Sequence, residues 1–150
     1  MKKFSEIKVG DEYFVKCKIS REEQDKYVSF SRIKNVFLEK HSSQKIVSGR
    51  AILARLEGEF TRLEEMYGNI IILYGMDGEP LWKNRHARFL KPLYADEKLE
   101  IKFKISEKTE LSEEFGLLAV DFEGTKENGD LVVVAKRNLY QIKKEPLVNQ

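Results

Sequence analysis

The sequence predicts an α+β fold in which one strand and two helices precede a run of mostly antiparallel strands. Every second residue from Tyr13 to Ile19 is apolar, which is the pattern of a half-buried strand. Apolar residues then recur at helical spacing after Ser20 and again after Ser48. The chain beyond Gly68 consists of short apolar runs separated by turn residues, so we expect an antiparallel sheet packed on a helix.

Composition places limits on the size of the protein and on its partners. The chain has 150 residues, of which 41% are hydrophobic, so we predict a single domain over residues 1–150. The 27 basic and 25 acidic residues interleave along the chain and give a formal net charge of +2. Because this leaves no basic face for a phosphate backbone, we expect no nucleic-acid partner.

Cys17 is the only cysteine, which excludes an intramolecular disulfide and favours a reducing compartment. Its place in an apolar alternation predicts a core thiol. The polar Ser5-Glu6-Ile7-Lys8 follows the initial lysines where a signal peptide would be apolar, and no run of the sequence is long enough for a membrane span. We therefore expect a cytoplasmic protein without a membrane partner.

The first helix is predicted to begin at Ser20, because Glu23 three positions later completes a capping box. Its apolar residues recur at helical spacing and are predicted to pack into the core: Tyr27, Phe30, Ile33 and Phe37. The second helix is predicted from Ser48 to Tyr67, where Gly68-Asn69 ends it. Its stripe contains Ile52, Leu56, Phe60, Leu63 and Tyr67.

Five strands are predicted after the second helix, with turns at Asp77-Gly78 and at Glu127-Asn128-Gly129-Asp130. They are Ile70 to Tyr74, Trp82 to Leu90, Leu99 to Ile105, Gly116 to Glu123, and Leu131 to Ile142.

One segment resembles a family signature. The order Arg88-Phe89, Pro92, an acidic tip and Leu99 is similar to the R-F-x-x-P-v-x-x-G-D-x-L signature of MaoC-like (R-specific enoyl-CoA hydratase and acyl dehydratase) domains. Val9-Gly10-Asp11, Ile46-Val47-Ser48-Gly49 and the turn at residues 127–130 extend the resemblance over most of the chain. It implies a hot-dog fold, an antiparallel sheet wrapped around a central long helix. It further implies dimers or higher multiples and, as ligands, acyl thioesters of coenzyme A or acyl carrier protein.

The catalytic motif of the family is absent at the corresponding place. Active members carry a motif resembling F-S-G-D-x-N-P-[IL]-H, whose aspartate and histidine transfer protons next to the thioester. Here the alignment of residues 30–38 puts Ile33 at the aspartate and Leu38 at the histidine, and retains Asn35 as a candidate ligand-binding residue. Loss of such a pair costs roughly 10²- to 10⁴-fold or more in rate.

Three side chains are candidates for a different catalytic arrangement. His41 lies in a polar loop that the fold brings towards the second helix, and Glu39 could orient it. Ser48 is a further candidate, although its position also suits a plain N-cap. The backbone amides of Gly49 and Arg50 are candidates to bind a thioester carbonyl, because they begin a helix.

Basic residues near the subunit boundary are candidates to bind ligand phosphates: Arg50, Lys83, Arg85, Arg88 and Lys91. We interpret His86 as structural, since it lies within a strand. With two histidines and one cysteine, none at ligand spacing, the sequence predicts no metal site and no cofactor.

These observations leave three functional hypotheses. The first is an acyl-thioester-binding protein of fatty-acid metabolism that lacks the hydratase pair. The second is an active, diverged hydratase, dehydratase or thioesterase that uses His41 with Glu39, or Ser48. The third is a structural or regulatory subunit, in a homo-oligomer or in a heteromer with a related hot-dog chain.

Overall fold

The computed structural model of the chain describes residues 1–39, 45–71 and 86–147. A short 3₁₀ helix, Phe4–Glu6, precedes strand β1 (Glu12–Lys18). The helices are α1 (Arg21–Ser31), α2 (Val36–Glu39) and α3 (Gly49–Thr61). The remaining strands are β2 (Ile70–Ile71), β3 (His86–Phe89), β4 (Lys98–Glu110), β5 (Phe115–Lys126) and β6 (Leu131–Lys143).

The six strands of the described residues form one antiparallel sheet in the order β1-β4-β5-β6-β2. Strand β3 pairs with β6 on the same edge as β2, where it lies beside the first half of β6. Helix α3 packs against one face of this sheet, as the predicted hot-dog architecture requires.

The core lies between α3 and the inner face of the sheet. The ring of Phe60 is surrounded by those of Phe103, Phe122 and Tyr140, with centroid separations of 5.5, 5.8 and 4.9 Å. All four residues are at most 2% exposed. Aromatic contacts at these distances add to the free energy of burial, so α3 is held mainly by its middle and its C-terminal half.

The predicted apolar stripe of the first helix is wrong beyond Tyr27. Helix α1 ends at Ser31 because Arg32 adopts a left-handed conformation (φ 60°), and a new turn begins at Asn35, whose Oδ1 accepts a hydrogen bond from the Phe37 N–H. Phe30, still within α1, is 88% exposed; the break then interrupts the helical period, and Phe37 is 65% exposed. Only Tyr27 of the expected stripe packs against the core from within α1.

The second helix is shorter than predicted. Helix α3 begins at Gly49, next to its cap Ser48, but ends at Thr61 and is followed by turns up to Asn69. These turns bury Met66 completely and leave Tyr67 61% exposed. The predicted stripe therefore packs on the core through Leu63, which lies in the turns after α3, while the prediction for Tyr67 is wrong.

The strands agree with the predictions where they are described, although β4 extends five residues beyond Ile105. The hairpin turn at residues 127–130 is confirmed, with Gly129 at a φ of 92°. The first residues of Ile70 to Tyr74 form β2, and the last part of Trp82 to Leu90 forms β3. The rest of these two predictions and the turn at Asp77-Gly78 lie outside the described residues.

The turn before β4 contains two positions at which the chain differs from the family signature. Asp96 occupies the glycine position of the signature and has a φ of 69°, a conformation that aspartate tolerates better than most residues. Glu97 occupies the aspartate position, and its Oε1 accepts a hydrogen bond of 2.7 Å from the Tyr94 N–H. The turn thus uses two acidic residues, with Asp96 in the left-handed conformation and Glu97 accepting the Tyr94 N–H.

Candidate functional site

The segment before α3 is fixed to the turn before β4 by backbone hydrogen bonds. Residues 45–47 pair with residues 93–95 through an isolated bridge between Ile46 and Tyr94. The Val47 N–H donates to the Leu93 carbonyl (2.8 Å), and the Ala95 N–H donates to the Lys45 carbonyl (2.7 Å). This pairing sets where Ser48 ends the extended segment and α3 begins.

The start of α3 leaves backbone donors available. Ser48 is extended (φ −64°, ψ 144°), and its Oγ accepts the Ala51 N–H at 3.0 Å. The N–H groups of Gly49 and Arg50 have no hydrogen-bond partner among the described residues. The first turn contains no acidic residue, so the positive end of the helix dipole is not neutralised there.

Helix α1 contacts this helix start through Gln24, which is 0% exposed. Its Oε1 accepts a hydrogen bond from the Ser48 N–H at 3.3 Å. The neighbouring Glu23 and Asp25 form ion pairs with Arg55 and Lys45, respectively. The Gln24 Nε2 atom is buried and has no hydrogen-bond partner within the described part of the chain.

The ring of Phe89 lies directly on Gly49. A Cβ atom added to Gly49 would lie 2.8 Å from two carbons of this ring, closer than normal contacts allow. Phe89 pairs with Val133 on β6, and strand alternation turns the ring towards α3. The phenylalanine of the R-F signature and the glycine that begins α3 therefore meet in space.

The predicted site residues divide into two groups. Ser48, Gly49 and Arg50 lie together at the start of α3, and Arg50 is exposed. Arg88 pairs with Val134, and its side chain lies on the opposite face of β3 from Phe89. Asn35 is exposed, and its Oδ1 caps the short helix α2 by accepting the Phe37 N–H.

Several candidates cannot be placed. His41, Lys83 and Arg85 lie outside the described residues, as do the side chains of Glu39 and His86. The backbone of Glu39 ends α2, and that of His86 begins β3. The aligned positions of the missing motif are a half-buried Ile33 and a Leu38 that is 8% exposed.

Sequence reasoning missed Gln24 and Phe89. Gln24 lies three positions before Tyr27, on the buried side of α1. The helical spacing from Tyr27 therefore indicates a buried polar residue at this position. Phe89 belongs to the R-F pair of the signature, but its contact with Gly49 depends on the pairing of β3 with β6.

A second concave region lies at the ends of β1, β4 and β5. Its cavity of about 640 Å³ is lined by Cys17 and Leu99 and by four lysines: Lys16, Lys18, Lys98 and Lys126. Burial, and secondarily the charge of Glu59, raises the pKa of the Cys17 thiol above its usual value. A thiol with a raised pKa is a poor nucleophile, so Cys17 fits its predicted role as a half-buried core residue.

Two negative findings concern the described residues. They contain no group of three or more histidine, cysteine, aspartate or glutamate side chains arranged to hold a metal ion. None of the helices in this part of the chain combines the length and apolar character needed to cross a membrane.

No protein-family model and no curated protein sequence matches the chain. Solved structures do match it. A MaoC-like dehydratase from Rhodospirillum rubrum has a TM-score of 0.70 at 13% identity, covering 97% of this chain and 99% of that one. An unliganded R-hydratase from Pseudomonas aeruginosa has a TM-score of 0.67 at 16% identity, with coverage of 99% and 90%.

A Mycobacterium tuberculosis protein with a double hot-dog fold gives a TM-score of 0.74 at 11% identity. It covers 99% of this chain, but this chain covers 46% of that protein, so the match is to about half of a double fold. The chain therefore has the hot-dog fold of MaoC-like dehydratases and R-hydratases, as the sequence resemblance predicted.

Proposed function

We propose that the protein binds acyl thioesters, of coenzyme A or acyl carrier protein, at the start of α3. The observation that carries the proposal is the pair of N–H groups on Gly49 and Arg50, which have no partner among the described residues, next to the ring of Phe89 at a helix end whose first turn contains no acid. A thioester carbonyl oxygen is an acceptor that suits both the two amides and the positive end of the helix dipole.

The proposal requires only backbone donors, so it does not depend on the missing catalytic side chains. Arg50 is exposed next to these donors, and Lys91 is exposed after β3; both could meet the phosphates of a ligand. Phe89, 46% exposed, offers an apolar surface for the acyl group. No metal or organic cofactor takes part in such binding.

The conformation of Arg32 favours a binding role over hydration. Arg32 stands at the glycine position of the F-S-G-D motif and has a φ of 60°, which a glycine would adopt without strain. This supports the register that aligns Ile33 and Leu38 with the aspartate and histidine of the family motif. A hydrocarbon side chain cannot transfer a proton, so hydratase chemistry would need other groups.

An enzyme is the second candidate. Ser48 lies at the proposed carbonyl site, where its hydroxyl accepts from Ala51 and can still donate a hydrogen bond. His41, with Glu39 as its orienting partner, would serve as the base of a diverged hydratase, dehydratase or thioesterase. If His41→Ala leaves the turnover rate of an acyl-CoA unchanged, a catalytic role of His41 with Glu39 is excluded.

We propose that the protein assembles through the sheet edge formed by β2 and β3. This edge presents Phe89 and Leu90, which are 46% and 47% exposed, next to the proposed ligand site. Pairing would cover the free backbone N–H and C=O groups of the edge strands, which otherwise promote aggregation. The double hot-dog neighbour joins two such folds in one chain. A second copy of the chain is the proposed partner. A related hot-dog subunit is the alternative, in which case this chain would serve as a structural or regulatory subunit.

We place this function in fatty-acid metabolism in the cytoplasm. The free thiol of Cys17 fits a reducing compartment, and acyl thioesters of coenzyme A and acyl carrier protein are intermediates of that metabolism.

A pair of substitutions at Gly49 tests the proposal. Gly49→Pro removes one amide donor at a first helical position that tolerates proline, and Ser48 already has the extended conformation that precedes proline. Gly49→Ala is the matched control, because its Cβ meets the same Phe89 ring but its N–H remains.

The measurement is binding of octanoyl-CoA and of free coenzyme A by isothermal titration calorimetry. We expect Gly49→Pro to bind octanoyl-CoA about tenfold more weakly than Gly49→Ala, because one hydrogen bond to the carbonyl is lost. Equal affinities of the two variants would refute the carbonyl site, and failure of the wild type to bind either octanoyl-CoA or octanoyl-acyl carrier protein would refute the function.

A further inference from the structure

We infer that the side-chain amide of Gln24 is a third donor to the acyl oxygen bound at the start of α3. The inference rests on the proposed function and names a side chain that donates a hydrogen bond to the ligand oxygen. It would make the site selective for an unprotonated acceptor oxygen, as in a thioester carbonyl or a carboxylate.

The orientation of the Gln24 carboxamide carries the inference. Its Oε1 accepts the Ser48 N–H at 3.3 Å, and exchanging the two ends of the amide would place an NH₂ group against that N–H. The orientation is therefore fixed by the cap of α3. The Nε2 atom then lies at the same helix end, with less than 1 Å² of exposed surface and with no hydrogen-bond partner among the described residues.

A buried donor without a partner is rare in folded proteins, because it has lost its hydrogen bonds to water. The acceptor role towards Ser48 uses only the oxygen of the amide and requires no donor at its other end. A carboxylate would accept the same hydrogen bond and would favour the helix dipole, and the adjacent positions of α1, Glu22, Glu23 and Asp25, are all acidic. Glutamine differs from glutamate in two ways: it places no charge in this buried position, and it presents the additional donor.

Three donors then lie at one end of α3: the N–H groups of Gly49 and Arg50 and the Gln24 Nε2, whose partner atom Oε1 accepts the Ser48 N–H. A carbonyl oxygen or a carboxylate accepts several hydrogen bonds at once, whereas a cation cannot be held by donors. The ligand class that the site recognises is therefore an acyl oxygen, and the experiment must separate a thioester from a free fatty acid.

Gln24→Glu is the decisive variant, since it keeps the length of the side chain and the acceptor for Ser48 but removes the donor. Gln141→Glu, on β6 opposite Leu117, is the matched control for the added charge. The probes are octanoyl-CoA, free coenzyme A and octanoate, titrated by calorimetry at pH 8 and pH 5.5. We expect Gln24→Glu to lose about tenfold or more in affinity for octanoyl-CoA at pH 8. Part of the loss should be recovered at pH 5.5, where a protonated carboxyl regains a donor.

The outcomes separate the inference from the function on which it rests. Binding of octanoyl-CoA by the wild type, together with unchanged affinity in Gln24→Glu, would overturn the role of Gln24 and leave the proposed function intact. Wild-type binding of octanoate but not of octanoyl-CoA would support the acyl-oxygen site and reject the thioester. Failure of the wild type to bind either probe would overturn both proposals.

A second measurement covers the case in which Gln24→Glu does not fold. Wild-type protein labelled with ¹⁵N in its four glutamine side chains gives four NH₂ pairs in a heteronuclear NMR spectrum. We expect the pair assigned to Gln24 to shift on addition of octanoyl-CoA and to remain in place with free coenzyme A. An unshifted Gln24 pair at saturating octanoyl-CoA would overturn the inference.

Discussion

The two longer helices of the described chain begin with serine caps that differ in what surrounds them. At the start of α1, Ser20 and Glu23 satisfy each other's backbone donors, with hydrogen bonds of 3.1 and 3.0 Å. Acidic residues also fill its first turn. At the start of α3, the Ser48 Oγ accepts the Ala51 N–H, the Ser48 N–H donates to Gln24 of the other helix, and the first turn contains no acid.

The difference shows where each helix obtains its stability. Helix α1 contains one fully buried residue, Gln24, so its start depends on local hydrogen bonds. Helix α3 buries Ile52, Leu56 and Phe60 almost completely in the core. Burial on this scale contributes far more than a cap, so α3 can leave backbone donors free for a ligand without losing its fold.

The largest expected effect comes from filling the space above the start of α3. Gly49→Ala places a methyl group against the Phe89 ring, which must move, and we expect the free energy of unfolding to fall by about 1–3 kcal/mol. In a Phe89→Ala background the clash is absent. There the same substitution should leave the free energy of unfolding unchanged or raise it by about 0.5 kcal/mol, because alanine has fewer backbone conformations than glycine in the unfolded chain.

Urea denaturation of the four proteins in this double-mutant cycle measures the coupling between Gly49 and Phe89. Additive effects would mean that the ring does not rest on Gly49. A cost for Gly49→Ala that persists without the ring would place the constraint in the backbone of α3 instead.

The sequence predicted the parts of the fold that depend on neighbours along the chain. The Ser20 capping box, the alternation of β1 and the turn containing Gly129 each depend on residues a few positions apart. The end of α1 was not predictable in this way. A helical period continues through Ile33 and Phe37 in the sequence, and only the left-handed backbone of Arg32 separates the two segments.

The candidate site was predicted in its backbone part and missed in its side chains. Ser48 and Gly49 were placed correctly because a helix start has a sequence pattern. The contacts of Gln24 with Ser48 and of Phe89 with Gly49 join segments 24 and 40 residues apart, respectively. Such contacts follow from the packing of α1 and β3 around α3, which no local pattern encodes.

A smaller effect is expected from making the start of α3 resemble that of α1. Arg50→Glu places an acid in the first turn of α3 at an exposed position. We expect the unfolding free energy to rise by about 0.3–1 kcal/mol, because a negative charge compensates the positive end of the helix dipole. The same charge should repel an acyl oxygen or a phosphate, so affinity for octanoyl-CoA should fall.

Arg50→Gln is the matched control, since it removes the positive charge without adding a negative one. Thermal denaturation and calorimetric binding of both variants separate the two contributions. Higher stability together with unchanged binding in Arg50→Glu would contradict the view that the ligand uses this helix end.

The smallest effect concerns the pH dependence of the start of α1. Hydrogen bonds, first from the Ser20 backbone N–H, hold the pKa of the Glu23 carboxyl below its usual value, with a further contribution from Arg55. A carboxyl with a lowered pKa in the folded state stabilises that state above its unfolded pKa of about 4.3. This contribution is lost as the pH falls through the folded value. We therefore expect the wild type to have a higher free energy of unfolding than Glu23→Gln at pH 7, and the difference to shrink at pH 3, as measured by urea denaturation.

The two helix starts should also differ in their response to acid. Because the first turn of α3 contains no carboxylate, lowering the pH should reduce the hydrogen-exchange protection of the start of α1 but not that of α3. A stability difference that stays constant from pH 7 to pH 3 would mean that the Glu23 charge does not stabilise the cap.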